Sequence, residues 1–305
     1  MIDSGGYDSY DGKDSDDCAE TGGAERVEPG LSEIGENESP YFTEIKNEAF
    51  AAFGTAKETY LEEYGSHMPE SSKVRLESVT PEKNMKVYTE LEYNCRYPGA
   101  NRGEIGRATD NNTIEMKGLS EEQVRHTTFH ELGHVSSFYS KNVEMLDDDS
   151  GKTVEHIQTG VKTKTFVYSA DGERLGSETV IENAALNEGI TEYFARDAME
   201  KSGLDGTLIP TGYQDALDLV TQLNELVGNE TLRNSYFGGD CSLKDVVNVL
   251  GESPDTFGNL SRNLDLVTYS PDDGVRAQAK LAVNTCIVQM AVNAAGAGGP
   301  RDCGD

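Results

Sequence analysis

The side chains best placed by type and spacing to do chemistry lie in one pentapeptide, His130-Glu131-Leu132-Gly133-His134. On a helix, the step of four between the two histidines turns about 400°, so both imidazoles project from one face with a metal-sized gap between them. That is two-thirds of a metal site. Glu131 stands roughly 100° round from His130, where it reaches a water at the open position of the metal rather than the metal itself. A carboxylate so placed is a general base. The pattern is HExxH, which sets two imidazoles and a carboxylate around one zinc ion. With five histidines in 305 residues, chance alone produces it on the order of once in a hundred such chains.

The flanks define the element that carries these groups. Ser120 is an N-cap with Gln123 three residues on, and Glu121 and Glu122 suit the positive end of a helix dipole. A helix from about Glu121 to Tyr139 follows, with Val124, Phe129, Leu132, Val135 and Phe138 as its apolar surface.

A catalytic zinc usually keeps three protein ligands and leaves one position for water, so a further ligand is needed. The extended pattern HExxHxxGxxH would supply a third histidine, but the matching positions are Ser137 and Ser140. Downstream, Leu186-Asn187-Glu188-Gly189-Ile190-Thr191-Glu192-Tyr193-Phe194 resembles the second motif of the gluzincins, the thermolysin-like zinc metallopeptidases whose third ligand is a helical glutamate. The resemblance, which covers about Val74 to Ser202, implies that Glu188 is the third ligand of a single zinc. It also implies that Glu192 hydrogen-bonds a zinc-binding histidine, fixing its tautomer and raising its basicity. Thermolysin has Asp where this chain has Glu192, so the arm here is longer. The aminopeptidase branch shares the Asn-Glu-Gly of the second motif, but its upstream Gly-x-Met-Glu-Asn signature is absent. An endopeptidase similar to uncharacterised bacterial gluzincins is the reading that remains. Its substrate would be a peptide or protein.

The expected fold is α+β and zincin-like, a small twisted sheet with the two motif helices and then an all-helical lobe. Ser39-Pro40 opens a helix to about Tyr64. Alternation predicts strands at Val74-Leu76-Ser78, at Val87 to Tyr93, and at Ile114-Met116. In the family the strand nearest the cleft lends its edge to substrate, and 113–117 is the candidate. Residues 162–180 form a hairpin turning at Asp171-Gly172 and hanging over the site. His156 is a loop residue with a minor claim as ligand or oxyanion donor, and His126 is a packing or supporting residue. Tyr213 is a candidate oxyanion donor. Asp147-Asp148-Asp149-Ser150-Gly151 faintly resembles the start of a calcium loop, without the downstream glutamate. Helices are expected at 211–227, 229–237, 242–250 and 271–295.

The domain limits drawn are an acidic disordered leader over 1–39, a catalytic lobe over 40–204, a helical lobe over 205–295 and a disordered tail over 296–305. A net charge of −29 repels phosphates, which excludes nucleic acid as a partner. No apolar run reaches the length of a membrane span. The first residues show no signal peptide, so the expected location is extracytoplasmic if the native chain was trimmed and cytoplasmic otherwise. The five cysteines, Cys18, Cys95, Cys241, Cys286 and Cys303, are widely spaced and contain no CxxC. Two rivals share the motifs: a catalytically inactive zincin-fold binding or docking module, and a delivered toxin. An intact Glu131 speaks against the first, because a structural zinc does not use that carboxylate.

Overall fold

Ser39 caps the first described helix: its side chain accepts from the Phe42 N–H, and Pro40 takes the first helical position, where a missing N–H costs nothing. The computed structural model describes residues 39–97, 104–109, 111–146, 150–176, 179–206 and 212–296. The leader up to residue 38, the tail from 297, Asp147 to Asp149 of the calcium-like stretch, Cys18 and Cys303 lie outside the described residues.

The architecture is mixed α+β. First come α1 (Pro40–Tyr64), α2 (Glu70–Ser78), α3 (Pro81–Asn84), β1 (Met85–Tyr88), α4 (Glu90–Arg96), β2 (Gly106–Ala108) and β3 (Ile114–Lys117). The first motif helix, α5 (Glu121–Ser136), leads into β4 (Tyr139–Met145), β5 (Thr153–Thr159), β6 (Lys162–Tyr168) and β7 (Val180–Glu182). The second motif helix, α6 (Ala184–Lys201), precedes α7 (Gln214–Val227), α8 (Asn229–Phe237), α9 (Ser242–Leu250), α10 (Thr256–Tyr269) and α11 (Asp273–Gly296). No described helix is long and apolar enough to cross a membrane.

Three expectations fail here for identifiable reasons. The stretch Val74-Leu76-Ser78 is helical, not a strand: Ser72 and Leu76, four apart, are buried while Val74 is 52% exposed. Five residues of alternation are too few to separate a period of two from one of 3.6. The strand expected from Val87 to Tyr93 stops at Tyr88, because Thr89 and Glu92 form a reciprocal capping box that starts α4. Finally, β3 is the centre of its sheet, not its edge. The order is β1-β3-β2, with β1 parallel to β3 and β2 antiparallel to it, so both sides of β3 are occupied. The edge facing outward beyond β3 belongs to β2.

The hairpin at 162–180 turns where expected, with Gly172 in the left-handed region at φ +82° and its N–H donating to the Ser169 carbonyl. It is part of a larger antiparallel sheet, in the order β4-β5-β6-β7. Of this, β4 and β5 had no counterpart in the expected elements.

A continuous buried cluster joins α1, α5 and α6 to the C-terminal helices, running from Ile45 and Phe53 through Phe129, Leu132 and Phe194 to Val220, Leu264 and Met290. Within it, α1 supports α5 directly, the Tyr60 O–H donating to the Phe129 carbonyl at 3.0 Å. Helix α10, unforeseen, packs on α6 and does more than fill space. Its Asp265 accepts from the Ala185 N–H at 2.7 Å, capping a helix whose own N-cap residue, Asn183, makes no side-chain cap bond.

Candidate metal centre

Two helices bring the donors together. From α5 come His130 and His134, and from α6 comes Glu188; one ligand atom from each lies within 4.8 Å of the others. Glu188 Oε2 stands 3.3 Å from His130 Nε2 and 3.1 Å from His134 Nε2. For metal bonds of 2.0–2.1 Å in tetrahedral array, neighbouring donors stand about 3.3 Å apart. The spacing therefore suits a zinc-sized cation. The close approach of α6 to its neighbours depends on Gly189, where a Cβ would come within 2.7 Å of the Ala216 carbonyl of α7.

Each imidazole is oriented from behind. Glu192 Oε2 lies 3.0 Å from His130 Nδ1, so the N–H of that ring goes to the carboxylate and Nε2 presents its lone pair to the centre. The other oxygen of Glu192 takes His126 Nε2 at 2.9 Å and Arg196 Nε at 2.7 Å. Glu192 is fully buried; burial by itself would raise its pKa, but the bonds from His126 and His130 hold it far below the usual carboxylate range. His126 thus supports the site through Glu192 and is turned away from the ligand cluster.

His134 is backed differently. Its Nδ1 lies 3.3 Å from Thr191 Oγ1 and 3.5 Å from Asn187 Nδ2. The Thr191 hydroxyl donates to the Asn187 carbonyl at 2.8 Å and meets the Tyr236 hydroxyl at 2.6 Å, so it is an acceptor for the His134 N–H.

Glu131 lies at the same centre without joining the ligand trio. It is 5% exposed, and burial raises its pKa while the two imidazoles oppose the rise. Strand β2 passes directly over it: a Cβ on Gly106 would meet Thr127 Cγ2 at 2.5 Å and Glu131 Oε1 at 3.3 Å. Only glycine allows that approach. The outer edge of β2 has no strand partner among the described residues.

Tyr213, just before α7, lays its ring parallel to the His130 imidazole, with 5.9 Å between centroids and 11° between planes. The nearby Glu188 carboxylate, aided by burial, pushes its phenol well above the ordinary value, so it keeps its proton. His156 does not come to the site. It lies in β5, exposed, beside Thr165 Oγ1 at 3.1 Å and Glu144 Oε1 at 3.4 Å.

Besides Arg196, two contributions went unforeseen. Lys162 brings its ammonium to 3.8 Å from Glu188 Oε1, the oxygen turned away from the imidazoles. Thr191 and Tyr236 form the hydroxyl pair behind His134. Thr191 sits inside the second motif, but Tyr236 is reached only through the packing of α8.

Comparison with protein-family profiles, with curated proteins and with solved structures finds no match to this chain.

Proposed function

We propose that the chain is a zinc metallopeptidase of the gluzincin type, with a zincin-like fold and endopeptidase activity. The observation that carries this is Glu131, a buried carboxylate beside the three donors, outside their set, with a strand edge across from it. A centre that only holds a metal has no use for such a group.

His130 Nε2, His134 Nε2 and Glu188 Oε2 would hold the zinc. When bound, zinc supplies Lewis acidity, bringing the pKa of a water towards about 7 and polarising a scissile carbonyl. With zinc in place, the Glu131 carboxylate would accept a proton from the attacking water and return it to the leaving amine. Its raised proton affinity favours the first transfer and still permits the second. Tyr213, kept protonated beside His130, offers an O–H to the developing oxyanion. The edge of β2 that has no strand partner among the described residues can take an extended peptide by strand addition, which suits cleavage within a chain.

The test is cleavage of a diverse peptide library by the purified protein. Activity should vanish with a chelator, return with about one equivalent of zinc, and be absent from Glu188→Ala. Zinc-loaded protein that cleaves no member of the library would point to the docking module instead.

A further inference from the structure

Strands β5 and β6 are joined by Gly160 and Val161, and this turn is seated on the start of α6. The Val161 N–H donates to Asn187 Oδ1 at 3.1 Å, and Asn183 Nδ2 donates to the Val161 carbonyl at 3.0 Å. Asn187 is fully buried and immediately precedes Glu188. A Cβ on Gly160 would meet Asn187 Oδ1 at 2.5 Å, so only glycine lets the turn sit this close. The Gly160 N–H donates to the Phe138 carbonyl at 2.8 Å, which ties the same turn to the chain leaving α5.

Lys162 is the first residue of β6, next after this turn. Its side chain is 19% exposed, low for a residue type that ordinarily carries its ammonium into water. The two oxygens of Glu188 therefore have different neighbours. Oε2 faces His130 Nε2 and His134 Nε2, while Oε1 faces the Lys162 ammonium. An ammonium has three donors and no lone pair, so it attracts Oε1 and repels a metal cation. Its stem is flexible, but its root is fixed relative to Glu188, because Asn183 and Asn187 secure the turn to the helix that carries the ligand.

We propose that Lys162 is a positioning residue of the metal centre: it holds Glu188 Oε1 off the metal, so that Glu188 ligates through Oε2 alone and the remaining position stays open to water. This role rests on the metallopeptidase reading and deepens it, because a catalytic zinc keeps three protein ligands and one exchangeable position. A glutamate bound through both oxygens would bring a fourth protein atom to the metal and crowd that position.

The test reads the binding mode of Glu188 rather than turnover. Infrared difference spectra are taken between metal-free and zinc-loaded full-length protein, at matched zinc content. A carboxylate bound through one oxygen separates its antisymmetric and symmetric stretches more widely than one bound through both. Wild type should show the wide separation and Lys162→Met the narrow one. Lys162→Gln should match Lys162→Met, so either neutral variant that folds decides the matter. Lys162→Arg, which restores a cation at that place, should show the wide separation again. A wide separation in a folded neutral variant, a narrow one in wild type or in Lys162→Arg, or no zinc-dependent carboxylate change at all would overturn the role. Wild-type cleavage of the peptide library is scored separately. A protein with the expected spectra that cleaves nothing contradicts the peptidase reading alone, and one that cleaves with unaltered spectra across the variants contradicts the role of Lys162 alone.

Discussion

The two imidazoles of the candidate metal centre share one helix and face one carboxylate, yet they are supported by different chemistry. Behind His130 stands Glu192, a buried carboxylate that also receives His126 and Arg196. Behind His134 stands the neutral hydroxyl of Thr191, itself engaged with Tyr236 and the Asn187 carbonyl. Both arrangements fix a tautomer with Nε2 towards the centre. Only the first also feeds negative charge into the ring, which raises ligand basicity. As a metal ligand, His130 would therefore be the one whose strength depends on its support, whereas His134 would need its support chiefly for orientation.

Substitutions at the ligand and behind each ring put that difference to work. The largest effect belongs to the ligand itself: Glu188→Ala should lose stoichiometric zinc, a drop beyond the roughly hundredfold upper end seen for supporting residues. Retention of one tightly held zinc in metal analysis would mean that the trio is wrong. Next, Glu192→Gln should weaken zinc binding by about 10–100-fold in competition with a chromophoric chelator. Glu192→Asp should fall between that variant and wild type, since the shorter arm cannot reach His126 and His130 together. Thr191→Val should cost less than about tenfold. Should Thr191→Val prove as damaging as Glu192→Gln, the distinction between carboxylate and hydroxyl support fails. The smallest effect serves as a control. Asp265→Ala removes the cap from α6, upstream of Glu188, Thr191 and Glu192 alike, and should lower stability by about 1 kcal/mol in a thermal or denaturant melt. Zinc affinity should stay within about twofold, because a loss of this size leaves the folded population nearly complete.

What was legible in the sequence divides along the same line. His130, Glu131 and His134 sit on one helix at fixed angular steps, and Ser120, whose side chain accepts from the Gln123 N–H, marks its start, so local geometry alone assembles them. Glu188 and Glu192 were reached through a family resemblance; nothing local distinguishes them from a solvated face. Arg196, four residues beyond Glu192, is the one local sign that this carboxylate is paired rather than solvated. Thr89 and Glu92, too, spelled out a helix start inside a stretch read as a strand. Phe257, Leu260, Leu264 and Val267, spaced three and four apart, form a helical stripe that marks α10, although no helix is among the sequence expectations there.

Other features had no sequence signal at all. Strand β4 is exposed along almost its whole length, so it shows no alternation against a core. Strand β2 has three residues and begins with a glycine, yet it takes the edge that was expected of β3. The approach of Lys162 to Glu188 and of Tyr236 to Thr191 depends on how β6 and α8 pack on α6, a tertiary fact.

The central claim is that Glu131 acts on a proton rather than on the metal. It is tested most directly by comparing wild type with Glu131→Gln at matched zinc content, on a peptide found by the library screen. The amide keeps the size of the side chain but cannot accept the proton. The expected result is one zinc per chain in both proteins, superimposable melts, and a fall in kcat/KM of at least about a hundredfold in the variant. Zinc-loaded Glu131→Gln that cleaves the same peptide at the wild-type rate would contradict the claim.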